Sequence, residues 1–161
     1  MESNNSNTCN ARDEVYFSLY ETYIGLEVDD DIPNEYINLC VEYLNNLSEE
    51  IILSICTYSL DYCKDVMKNY CDVEFIDGLH KIISLRDILN YMKPVSLQID
   101  QPDYWYIPAI NLYFKCAWDQ DNDMQVLINN DRVVYVGPYE GLDCWLKNLS
   151  EWSNYVTGYK I

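Results

Sequence analysis

The chain has 161 residues, 27 acidic against 10 basic, for a formal net charge of −17 and an isoelectric point near 4.1. A negative field of that size repels nucleic acid and anionic membrane surfaces and draws basic partners. With 49% hydrophobic and 14% aromatic residues the chain is not among those too polar to fold. Its length fits one domain, with residues 1–12 read as a flexible tail and residues 13–161 as a single α+β domain.

Glu14 to Val28 is rich in Tyr, Phe, Leu and Ile with an ambiguous period, and reads as a helix in preference to an early strand. Asp29, Asp30 and Asp31 then interrupt the apolar pattern. Asp31 suits the cap of the next helix and Pro33 its first turn, where a missing N–H costs nothing. Tyr36, Leu39, Cys40 and Tyr43 recur at helical spacing, and the helix stops near Asn45–Asn46. Ser48 is a second N-cap, followed by Glu49 and Glu50 where the helix dipole favours acids. Ile52, Cys56, Cys63, Met67 and Tyr70 form one stripe, which predicts a long helix from Glu49 to Tyr70. So short a connection implies an antiparallel helical hairpin.

Ser84 to Asp87 has capping-box spacing and opens a short helix that ends before Pro94, with Leu85, Ile88, Leu89 and Met92 inward. After Pro94 the period changes to two. Val95–Ile99 and Ile110–Trp118 alternate as half-buried strands do, and Met124–Ile128 and Arg132–Val136 are β-rich around an Asn129-Asn130-Asp131 turn. Trp145, Leu146, Leu149 and Trp152 are spaced for a short C-terminal helix. The expected architecture is therefore α+β: an N-terminal helical hairpin plus a short helix packed on an antiparallel β-meander, closed by a short C-terminal helix.

No hydrophobic run approaches the ~20 residues of a membrane span, and the polar start, Met1 to Asn10, lacks the features of a secretion signal. The seven cysteines (Cys9, Cys40, Cys56, Cys63, Cys71, Cys116 and Cys144) are odd in number and read as reduced thiols, which places the protein in the cytoplasm. Cys56, Cys63 and Cys71 have the spacing of small buried thiols on a helix face.

Few chemical signatures present themselves. Asp119, Asp121 and Asp123 have the opening spacing of a calcium loop, but Met124 and Asn130 hold the places where Gly and Glu are needed. The loop reads instead as a solvated connection or as an acidic knuckle for a basic partner. His80 is the single histidine, so no multi-histidine metal site exists, and no two cysteines stand close enough for structural zinc. Nothing local joins His80 to a nucleophilic cysteine. The five glycines are scattered, without a phosphate-binding loop, and the few bases are dispersed, against direct nucleic-acid binding. Tyr104, Trp105 and Tyr106 lie between Pro102 and Pro108, where three adjacent aromatics cannot all face one core; Tyr and Trp are favoured interface anchors.

Tyr113-Phe114-Lys115-Cys116-Ala117-Trp118-Asp119 and Arg132-Val133-Val134-Tyr135-Val136-Gly137-Pro138 resemble the strand and hairpin of small bacterial α+β immunity proteins, encoded beside polymorphic or contact-dependent toxins. With the helical hairpin of residues 33–70 the resemblance spans residues 33–145. It implies binding without catalysis. The expected function is that of a cytoplasmic immunity protein, not an enzyme and without cofactor or metal, that covers the active site of a cognate basic nuclease toxin with its acidic surface. The contacts expected are Asp29, Asp30, Asp31, Tyr104, Trp105, Asp119, Asp121, Asp123, Glu140 and Asp143. The alternatives are an acidic nucleic-acid mimic that blocks a DNA-binding protein, and a small enzyme with an unrecognised carboxylate site.

Overall fold

The computed structural model describes residues 13–69 and 84–158. The proposed tail, Tyr70, Cys71 and His80 lie outside the described residues. Six strands form one mixed sheet in sequence order: β1 (Glu14–Phe17), β2 (Thr22–Val28), β3 (Met92–Ile99), β4 (Ala109–Cys116), β5 (Met124–Asn129) and β6 (Arg132–Pro138). All neighbours are antiparallel except β2 and β3, which run parallel with Gly25 opposite Ser96 and Val28 opposite Ile99. Parallel neighbours need a long crossover. It contains helices α1 (Asn34–Leu44) and α2 (Glu49–Asn69) and a 3-10 turn at Leu85–Tyr91.

This order corrects the expected fold. The helical hairpin is not N-terminal and does not precede the sheet. Two strands come first, and the helices sit mid-chain inside a mixed sheet. The segment read as a helix over Glu14–Val28 is a β-hairpin closed by a 3-10 turn at Ser18–Tyr20. Its Val15 and Phe17 face the core while Glu14 and Tyr16 are exposed. The ambiguity had a cause: two four-to-seven-residue strands joined by a helical turn mix both periods. The C-terminal helix is likewise reduced to one 3-10 turn, Leu149–Glu151, and the short third helix is 3-10 rather than α.

Other local expectations match. The Ser48 hydroxyl accepts from the Ile51 amide at 3.2 Å and opens α2, and the Asp87 carboxylate accepts from the Ser84 amide at 2.9 Å. Pro33, not Asp31, takes the N-cap position of α1, and no side chain caps it; Asp31 sits in the left-handed region at φ 64°.

The sheet has two differently covered faces. One carries Phe17, Ile24, Leu97, Ile99, Ile110, Leu112, Phe114, Met124, Val126 and Ile128 into the main core beneath the helices, where Cys40, Ile55, Cys56 and Tyr62 meet them. The other is covered by the strap and tail of residues 139–158, which bury Leu142, Cys144 and Leu149 against Ala109, Leu127 and Tyr135. The tail also closes the sheet's edge. The Asn154 side chain donates to Val134 O at 3.0 Å and accepts from the Val136 amide at 3.3 Å, and the Tyr155 amide donates to Val136 O at 2.9 Å. Gly137 is needed for this closure: a Cβ there would stand 2.6 Å from Ser153 O.

Candidate functional site: an acidic and aromatic end of the sheet

The β2, β3 and β4 strands bring three connections to one end of the sheet. Asp29, just past β2, donates its amide to Ile99 O and accepts from the Gln101 amide at 3.0 Å. Exposed Asp30 and Asp31 follow it. Asp100 and Asp103 follow β3, and the strap returns Asp143, Cys144 and Trp145 beside them. Asp100 Oδ2 accepts from the Asn111 side chain at 3.0 Å and the Cys144 amide at 3.2 Å, and Asp143 Oδ1 accepts from the Trp145 amide at 2.7 Å.

Among the described residues these carboxylates form no ion pair. Burial, then the nearby Asp143 and Asp29 carboxylates, push the Asp100 carboxyl up to about 6 despite its hydrogen bonds. Burial, with Asp29 and Asp103, raises Asp143 too. Among the described residues the single salt bridge, Arg86–Glu49, lies elsewhere. Arg132 and Lys147 line the neighbouring cleft of about 560 Å³ with Asp103 and Trp145, without pairing any of these acids.

Beside the carboxylates stands an aromatic loop. Tyr104, Trp105 and Tyr106 are 52%, 45% and 75% exposed, so all three point away from the core. The loop is nevertheless braced. Ile107 donates its amide to Tyr104 O at 3.2 Å and accepts the Tyr36 hydroxyl from α1 at 2.9 Å. Trp105 packs edge-on against Tyr36 and Tyr104 against Trp145, with centroids 5.5 and 6.1 Å apart. Rigid exposed rings lose little conformational entropy when they bind.

The structure therefore gathers Asp29, Asp30, Asp31, Tyr104, Trp105 and Asp143 at one end, and leaves the other expected contacts elsewhere. Asp119, Asp121 and Asp123 sit beyond the far end of β4, roughly 24 Å away for eight residues at strand rise. There Asp119 accepts the buried Tyr62 hydroxyl and the Asn122 side chain, and Asp123 accepts the Tyr113 hydroxyl. These carboxylates are structural acceptors. Glu140 is exposed at the start of the strap. Among the described residues no group of three His, Cys, Asp or Glu side chains is placed to hold a metal ion, and Cys40, Cys56, Cys63, Cys116 and Cys144 are free buried thiols.

Sequence reasoning missed Asp100, Asp103, Asn111, Gln125 and Trp145. Gln125 is fully buried; its Nε2 donates to Asn111 Oδ1 and Leu142 O, both at 2.9 Å, and its Oε1 accepts the Leu142 amide at 3.1 Å. The signal lay in Met124–Ile128, whose apolar residues occupy both parities and so require both faces of β5 to be covered.

A family model described as a domain of unknown function, DUF6985, matches residues 3–144, which takes in the whole sheet, both helices and Asp143. The chain belongs to that family. No curated protein and no solved structure matches it.

Proposed function

We propose that this DUF6985 chain is an immunity protein that neutralises a cognate toxin, a basic nuclease domain, by laying its acidic and aromatic end over the cationic groove in which the toxin holds nucleic acid. One observation supports the reading above others: carboxylates with no ion pair among the described residues stand beside three exposed, braced rings. Interfaces concentrate their energy in such aromatic anchors, while charge complementarity speeds encounter, to about 10⁸–10⁹ M⁻¹s⁻¹ at low salt. The proposal places the protein in the cytoplasm, where such a nuclease would act; among the described residues no helix is long and apolar enough to cross a membrane.

The test is co-expression with the products of the adjacent open reading frames, followed by calorimetry on any complex. Tyr106→Ala and Asp143→Asn are each expected to weaken it about tenfold or more, and Asp121→Asn at the opposite end to leave it unchanged. A protein that stays alone with every neighbouring product, or a complex that Asp121→Asn weakens as much as Asp143→Asn, would overturn the reading.

A further inference from the structure

The strap of residues 139–145 makes no strand ladder with the sheet. Side chains hold its backbone instead. Gln125 takes both the amide and the carbonyl of Leu142, and Asn111 donates to the same carbonyl at 3.1 Å. Asn129 donates to Cys144 O at 3.1 Å, the Cys144 thiol donates to Ile110 O at 3.2 Å, and Asp100 accepts the Cys144 amide. Of these anchors on the sheet side, Asp100 alone carries a carboxyl. Its contact falls between the two strap residues that matter for binding, Asp143 and Trp145.

We propose that Asp100 is a positioning residue of the acidic and aromatic end: through the Cys144 amide it fixes Asp143 and Trp145, and binding of a cationic partner favours its ionised form. The inference rests on the binding role proposed above. The groups that face Asp100 are Asp29 from the segment after β2, Cys40 from α1, Asn111 from β4, and Asp143 and Cys144 from the strap; Asp103 faces Asp143. None is a base. The raised Asp100 carboxyl is therefore the neutral form's answer to burial among acids. A guanidinium or ammonium brought to this end reverses that balance and draws the carboxyl back to its ionised form. Binding then releases a proton wherever Asp100 was protonated in the free protein, and affinity rises with pH through that range.

The replacement Asp100→Asn separates geometry from charge. One oxygen, Oδ2, accepts both the Cys144 amide and the 3.0 Å bond from Asn111. An amide oxygen in its place keeps both of these bonds, gives up the longer 3.4 Å contact of Asn111 with Oδ1, and cannot ionise. Asp100→Ala removes both.

The experiment follows the Cys144 and Trp145 amide resonances of the full chain against pH, alone and with an oligo-arginine peptide as probe. In the free wild type the Cys144 resonance is expected to titrate near pH 6, and Asp100→Asn to abolish that titration while leaving its position close to one limit; the Trp145 amide, which Asp143 accepts directly, is the control for Asp143. Asp100→Ala should instead displace the Cys144 resonance at every pH. The peptide is expected to lower the midpoint, and its affinity to rise about tenfold from pH 5 to pH 7 in wild type, one linked proton giving up to a factor of ten per unit. The rise should be smaller in Asp100→Asn. A free-protein titration that survives Asp100→Asn overturns the positioning role whatever the peptide does. A peptide that binds without moving the midpoint overturns the proton linkage. A peptide that fails to bind at pH 7 while the free titration stands overturns the binding role and leaves Asp100 as the residue that sets the strap.

Discussion

The two ends of the sheet both carry aspartates and surround them differently. Past Cys116, Asp119 and Asp123 are acceptors for tyrosine hydroxyls, and Asn122 completes the turn. Past Ile99, Asp29, Asp100, Asp103 and Asp143 crowd one another, and burial and mutual repulsion raise two of them. A carboxylate that satisfies a buried donor contributes to the fold; one placed beside other carboxylates costs stability unless a partner supplies the counter-charge. Acid count alone does not distinguish these cases; the neighbouring carboxylates that raise Asp100 and Asp143 do.

Substitutions at the two ends should separate them. The largest effect is expected at the satisfied end. Asp119→Ala leaves the Tyr62 hydroxyl, on a side chain only 1% exposed, without its acceptor, and should cost about 2 kcal/mol in urea unfolding. An unchanged midpoint would mean that this end is no more structural than the other.

A pH series sharpens the comparison at the crowded end. The Asp100 carboxyl stands at about 6 in the folded chain, above its usual value, so the folded state holds the proton more tightly than the unfolded. The stability this contributes is whole below the unfolded value and is lost as pH rises through about 6. Wild type should therefore gain about 1 kcal/mol relative to Asp100→Asn when pH is lowered from 7 to 5. The smallest effect is expected for exposed Asp103→Asn. Its unfolding should stay within about 0.5 kcal/mol of wild type, on the stabilising side if anything, because it relieves repulsion without removing a structural bond. A clear destabilisation would mean that Asp103, like Asp100, holds the fold at this end.

Much of the fold was legible because the periods were clean. The two helices, the four strands from β3 to β6 and the Asn129–Asp131 turn follow from spacing, and Ser48 and Ser84 follow from capping chemistry. The hairpin of β1 and β2 did not, since only Val15, Phe17 and Ile24 of its residues are buried, and β2 finds its place through a parallel partner some seventy residues on. The candidate site was half legible. Asp29, Tyr104, Trp105 and Asp143 were singled out by charge and aromatic density, whereas Asn111 looked like the wet side of an alternating strand and Asp100 and Gln125 were not singled out. What reversed that reading was a strap from a distant segment, and a strap held by side-chain amides leaves no period of its own in the sequence.

The tail that closes β6 has one more consequence. Its Asn154 stands in for a neighbouring strand, occupying the outward groups of Val134 and Val136 that would otherwise template another chain. Chains cut short before that residue would carry an open row of donors and acceptors along β6, and edge-to-edge aggregation, rather than loss of the helical core, is the failure they would show first.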